Sequence, residues 1–168
     1  LLGNEDFLAG ASSTGTDWMA LAMGRFGYFY NGEYIYMIND GTGYADYLEA
    51  MRSYIEQTYA ANGGILHSAK ATEWHRAVVA IGALRGDPTS FGSYNGAPID
   101  LIADGSYNNS LKAGPGTQGI NGWIWGLIAM DTGMYDVPAD AKYTRETFIK
   151  EILKLQLTDG VNGNAYGG

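Results

Sequence analysis

The chain has 168 residues, 46% of them apolar, and a formal net charge of −8 from 10 Lys and Arg against 18 Asp and Glu. This is the size of one domain with a real core, and its apolar content excludes a disordered chain. The acidic balance speaks against a nucleic-acid or anionic-membrane face, and the absence of cysteine excludes disulfides, thiolate zinc sites and cysteine nucleophiles.

Residues 1–13 carry Leu1, Leu2, Phe7 and Leu8 before the small cluster Ala11-Ser12-Ser13, and read as a short helix or irregular lead-in. The segment 14–27 reads as a helix. Thr14 and Thr16 are its N-cap candidates, Asp17 lies in the first turn, Trp18, Leu21 and Ala22 share one face, and Gly27 is the stop. Residues 28–42 are aromatic and turn-rich. They read first as a loop of a helical protein, and second as a short hairpin about Asn31-Gly32.

The next helix spans 44–61. Tyr47, Leu48, Met51, Tyr54, Ile55 and Thr58/Tyr59 recur at three and four residues, and Asn62-Gly63-Gly64 ends it. Another covers 72–87, with Thr72 as N-cap, Glu73 in the first turn and Gly86 before Asp87-Pro88 at its end. A short helix is placed at 98–103 with Pro98 in its first turn.

The segment 117–133 is apolar almost all the way round, through Ile120, Trp123, Ile124, Trp125, Leu127, Ile128, Ala129 and Met130. A helix of that kind is expected to be buried on every side, and it is too short to span a bilayer. The last helix, 144–156, is amphipathic, with Phe148, Ile149, Ile152, Leu153 and Leu155 expected inside and Arg145, Lys150 and Lys154 outside. Thr144 caps it, with Thr147 where a capping box needs Glu or Gln. A Gly- and Asn-rich tail follows.

Three segments share a design. Residues 14–27, 71–87 and 120–133 each combine a polar start, a Trp, a run containing Ala or Gly, and a closing Gly. Amphipathic helices lie between them. Alternation of this kind describes helical hairpins in an array, with inner helices brought close by their small residues. The residues Thr72-x-Trp74 through Gly86-Asp87-Pro88, Gln118 to Asp131, and Leu153-x-Leu155-Gln156-x-x-Asp159-Gly160 carry a resemblance. Over about residues 14–160 the chain resembles the terpenoid cyclase / protein prenyltransferase-like α/α toroid superfamily. The nearest likeness is to squalene-cyclase-repeat or transcobalamin-like domains of Gram-positive surface proteins. The likeness departs after Gly160, where Val161 and Asn162 stand in place of an early aromatic and Tyr166 comes late.

The resemblance implies an all-α, α/α toroid domain over 1–168. Six helices would make a partial ring, and the ends at Leu1 and Gly168 read as cut from a longer chain. A terpene cyclase needs an Asp-x-Asp-Asp acid, and the nearest residue, Asp131, reads as a helix end. A prenyltransferase zinc site needs Asp, Cys and His, and only His67 and His75 are present as histidines. The tail 159–164 alternates oxygen-bearing residues but lacks a closing acid.

The expected function is therefore a non-catalytic binding or adhesion module of an exported bacterial protein, extracellular or wall-attached, with no cofactor and no metal. The Cys-free, acidic composition with 25 Gly and 13 Tyr matches that setting. The alternatives are a terpene-cyclase or prenyltransferase-class enzyme whose acid lies outside the chain, and a corrinoid or other small-ligand binder. The expected partner is a small molecule or a host or surface protein, with neither nucleic acid nor membrane insertion. The ligand-binding candidates are Tyr34 and Tyr36 in the aromatic stretch, Glu73, Trp74, His75 and Arg76 at a helix-end mouth, and Trp123; the four tryptophans Trp18, Trp74, Trp123 and Trp125 read first as aromatic core and second as the lining of a ligand cavity.

Overall fold

The computed structural model describes residues 4–25, 27–30, 33–36 and 42–155. Three helices form one layer: α2 (Thr14–Arg25), α4 (Thr72–Ala83) and α5 (Ile120–Thr132). α4 stands between the other two. Small residues at the facing positions allow the close approach. A Cβ on Gly24 of α2 would fall on the backbone of Ala83 of α4. A Cβ on Gly126 of α5 would strike the Phe148 ring on one side and come within 3.2 Å of the His75 ring on the other.

The three helices run in the same direction. Near their starts, Asp17 of α2 is paired with Arg76 of α4. At their far ends Gly24 meets Ala83, and Arg25 Nη2 donates to Thr132 Oγ1 at 3.3 Å. Parallel neighbours require return segments, and these lie outside the layer. α3 (Thr42–Ala61) runs back from the end of α2 to the start of α4: the Tyr44 hydroxyl donates to the Met23 carbonyl at 3.1 Å, and Tyr59 accepts from Trp74 Nε1 at 2.7 Å. α6 (Arg145–Lys154) returns along α5, starting where Arg145 donates to Asp131 and to the carbonyls of Met130 and Tyr135. Between α4 and α5 the return is a π-helical turn, Ala103–Tyr107, whose Gly105 lies against Trp74 and His75. A short α1 (Glu5–Ala9), capped by Asn4, sets Phe7 against Tyr47 with ring centroids 5.3 Å apart.

Several local signals held. α3 buries Tyr44, Tyr47, Met51, Ile55 and Tyr59. It ends with Gly63 at φ 69° and the Gly64 amide bonded to the Tyr59 carbonyl at 2.8 Å, a Schellman motif. Tyr54, expected on that buried face, is instead exposed. The capping box of α6 is complete, because the Thr147 hydroxyl accepts from the Thr144 amide at 3.3 Å in the role expected of Glu or Gln.

Other expectations are corrected. Residues 28–42 are not a plain loop: β1 (Gly27–Tyr30) pairs antiparallel with β2 (Glu33–Tyr36), Phe29 opposite Tyr34. Asn31-Gly32 lies outside the described residues. The helix placed at 98–103 starts later. Asn95 and Gly96, at φ 51° and 79°, turn β3 (Ser93–Tyr94) into β4 (Ala97–Pro98), so an Asn-Gly turn overrides the proline signal. Asp100 then caps the helical turn by accepting the Ala103 amide at 2.9 Å.

Neither Thr14 nor Thr72 is an N-cap; each is the first residue of its helix. On α2 the fully buried apolar residue is Ala20, while Ala22 is exposed. At the end of α4 the left-handed residue is Arg85 (φ 66°), not Gly86. Gly86 follows it because a Cβ there would press on Ile81 and Leu48, at 2.7 and 3.1 Å. On α6, Phe148 is buried, but Ile149 and Leu153 are 46% and 58% exposed. Arg145, expected outside, closes the end of α5. The helix buried on nearly every side is α4, not α5.

Candidate functional site

Because these three helices are parallel, their N-terminal ends lie together, and a pocket of about 310 Å³ opens among them. α2 supplies Thr14 and Trp18, α4 supplies Thr72, Glu73 and Arg76, and α5 supplies Asn121 and Trp125. Gln118, from the 3₁₀ turn Gly114–Gln118, and Lys70, just before α4, complete the wall. The volume is at the small end of the roughly 300–1,000 Å³ common for ligand sites.

The wall is held by a buried ionic network. Arg76 donates from Nε to Asp17 Oδ2 at 2.9 Å, from Nη2 to Glu73 Oε2 at 2.6 Å and to the Ser12 carbonyl at 2.9 Å, and from Nη1 to Thr14 Oγ1 at 3.3 Å. Asp17 also accepts from the Tyr47 hydroxyl at 2.8 Å and the Ser12 amide at 3.0 Å. The Asp17 side chain has no solvent exposure, and burial of a carboxylate is tolerated only with such partners. Burial pushes its carboxyl above the ordinary carboxylate range, opposed by the hydrogen bonds from Arg76 and Tyr47. Burial likewise raises the Tyr47 phenol, with the neighbouring Asp17 adding to the rise. Ser12, which supplies both its amide and its carbonyl, sits at φ 67°, a conformation uncommon for a residue with a Cβ. Two helices and the segment before α2 are thus tied at one guanidinium.

Gln118 is fixed in the same way. Its Oε1 accepts from the Thr72 amide at 3.2 Å and from Thr72 Oγ1 at 2.7 Å. A backbone N–H can only donate, so the atom facing it is the oxygen, and the side-chain NH2 is left as a donor. Trp18 and Trp125 meet with ring centroids 5.1 Å apart at 46°, which makes two angled walls instead of a closed stack.

Of the sequence candidates, Glu73 and Arg76 line this pocket and the next two do not. Adjacent residues on a helix point about 100° apart, so Trp74 and His75 turn into the core. Trp74 donates to Tyr59, whose hydroxyl donates to Asp104 Oδ2 at 2.8 Å. Burial raises the Asp104 carboxyl. His75 has no exposure; its Nε2 donates to the Gly105 carbonyl at 2.7 Å, and its Nδ1 has no partner. Burial lowers its pKa to about 4. The mouth reading of these two residues is therefore corrected to core.

Trp123 is corrected likewise. It is buried edge-on against Phe148 and Tyr143, with centroids at 5.1 and 5.8 Å. Tyr34 and Tyr36 fall in β2, and their side chains lie outside the described residues. His67 is not brought to His75; its Nδ1 accepts the amides of Ala69 and Lys70 at 3.0 and 3.1 Å.

Trp18 and Trp125, read first as core, take the second reading, the lining of a cavity, while sequence reasoning missed Gln118, Asn121 and the buried Asp17. The signal that would have found them is the shared helix design: if three such helices are parallel, their first turns form one surface. Among the described residues no helix is long and apolar enough to cross a membrane. No protein-family model, curated protein or solved structure matches the chain.

Proposed function

We propose that the chain is a binding module built as one arc of an α/α toroid, taking a small ligand in the pocket between Trp18, Arg76 and Trp125. The ring reading is supported by the parallel inner layer with its antiparallel return helices, and by the resemblance in the Trp- and Gly-containing segments. The binding reading rests on one observation. A buried arginine, held by two carboxylates, a carbonyl and a hydroxyl, fixes the wall of an open pocket before any ligand arrives. A wall ordered in advance lowers the cost of binding. Asp17 and Glu73, the carboxylates at this place, are both engaged with Arg76. That suits a scaffold role better than proton transfer. The proposed setting, outside a bacterial cell, rests on composition.

Ligand-observed NMR tests this with three probe sets: neutral oligosaccharides, small carboxylates and aromatic fragments. The expected result is at least one ligand whose signal disappears with Trp125→Ala while the circular dichroism spectrum is unchanged. Binding that survives Trp125→Ala at full strength would move the site elsewhere, with the β1–β2 hairpin and its tyrosines the next surface to test.

A further inference from the structure

We infer that the pocket is a saccharide subsite that receives a neutral pyranose ring against Trp18 and Trp125. The inference rests on the reading of this pocket as a ligand site and names the class of ligand. Three observations select that class. The first is the aromatic pair, whose indoles meet at 46° and give two apolar walls. The C–H face of a sugar ring carries slight positive charge and is matched to the negative face of an aromatic ring.

The second observation is charge. Arg76 and Lys70 are positive at the pocket, Glu73 is negative, and Asp17 is the negative group directly behind Arg76. Two positive and two negative groups leave no net formal charge. An anionic ligand would meet Glu73, and a cationic one would meet Arg76 and Lys70.

The third observation is the mix of hydrogen-bonding groups. A hydroxyl both donates and accepts, so a sugar needs both kinds of partner in one wall. Glu73 pairs with Arg76 through Oε2, and its Oε1 is an acceptor. Gln118, its oxygen occupied by Thr72, supplies a donor NH2. Asn121 supplies one group of each kind. These side chains sit beside the tryptophans in the same pocket, so one ring can stack and hydrogen-bond at once.

The test is calorimetry and saturation-transfer NMR with cellotriose, maltotriose and N,N′,N″-triacetylchitotriose, with citrate and indole as the comparison probes. At least one of the three saccharides should bind, with transfer to its ring protons and a change in tryptophan fluorescence. Trp125→Ala should weaken it by about tenfold or more, the loss usual for a buried aromatic anchor. Asn121→Ala, at an exposed position outside the core, should weaken it several-fold with unchanged melting. That second variant decides the matter if Trp125→Ala fails to fold. Saccharide binding unaffected by Asn121→Ala and by Trp125→Ala would overturn the inference. If citrate or indole binds and is lost in Trp125→Ala while no saccharide binds, the saccharide inference fails and the ligand-site reading survives. If none of the probes perturbs the protein, both fail.

Discussion

α4 and α5 make an instructive pair. Both carry a tryptophan, small residues at the facing positions and an apolar middle, and they pack against each other. α5 is the more apolar by far, yet α4 is the more deeply buried. Nine residues of α4 lie buried, among them His75 and Arg76. On α5 the buried residues are Gly122, Trp123, Gly126, Ala129 and Met130, and Ile128 is 41% exposed. The difference is position. α4 has α2 on one side, α5 on the other, and the π-helical turn and Tyr59 of α3 behind it. α5 has α4, α6, the 3₁₀ turn and the other side of the π-helical turn. The middle place in the layer, more than apolar content, decides burial here, and it lets α4 carry polar residues inward as long as each finds a partner.

The largest expected effect tests that last condition. Arg76→Met keeps the side-chain stem but leaves Asp17 buried without its counter-ion. Urea denaturation should show a loss of roughly 3–5 kcal/mol, and Asp17→Asn in the same chain should recover part of it. A loss near that of an exposed substitution would mean Asp17 has another route to water, and the fixed-wall argument would fail.

The second prediction sets the two helices against each other. Ile81→Ala in α4, at a fully buried site, should cost roughly 2–5 kcal/mol. Ile128→Ala in α5 should stay within about 0.5 kcal/mol, as surface substitutions do. Equal losses would mean that the outer side of α5 is covered.

The third concerns pH. His75 has its pKa lowered from 6.5 to about 4 by burial, so the folded state holds it neutral while the unfolded chain takes up a proton. This contribution is fully present above pH 6.5 and is lost as the pH falls toward 4. Over that window wild type should lose roughly 3 kcal/mol more than His75→Gln does, measured as the difference between their pH–stability curves. Parallel curves would show that His75 reaches water.

The smallest effect concerns Gly126, where α5 meets both α6 and α4. Gly126→Ala in an exposed helix would gain up to about 1 kcal/mol. Here the new methyl meets Phe148 and His75, so the sign should reverse, with a loss of about 1–3 kcal/mol for Ala and more for Leu. A gain in melting temperature for Gly126→Ala would mean that α5 stands further from α6 and α4.

Much of the helical framework could be read in advance because its signals are local. The spacing of Tyr47, Met51, Ile55 and Tyr59, the glycine pair after α3, and the Thr144–Thr147 box act within a few residues of where they stand. Two hairpins were harder to place. Asn95-Gly96 is a strong turn signal that competed with Pro98, and the aromatic alternation of 28–36 suits a strand as well as a loop. The faces of α6 were misjudged because exposure of Ile149 and Leu153 depends on what lies beyond the helix, and periodicity says nothing about that.

By itself, then, the sequence determined where the main helices form, that the fold is mainly helical, and that three helices share one design. Only the tertiary structure decided that these three run parallel with α4 in the middle, that Arg76 reaches Asp17 fifty-nine positions away, and that Trp18 and Trp125 share a pocket while Trp74 and Trp123 do not. Those are relations between distant segments. A side chain's direction around its helix is settled by local geometry, but what it meets there is set by which helix the rest of the chain has brought alongside.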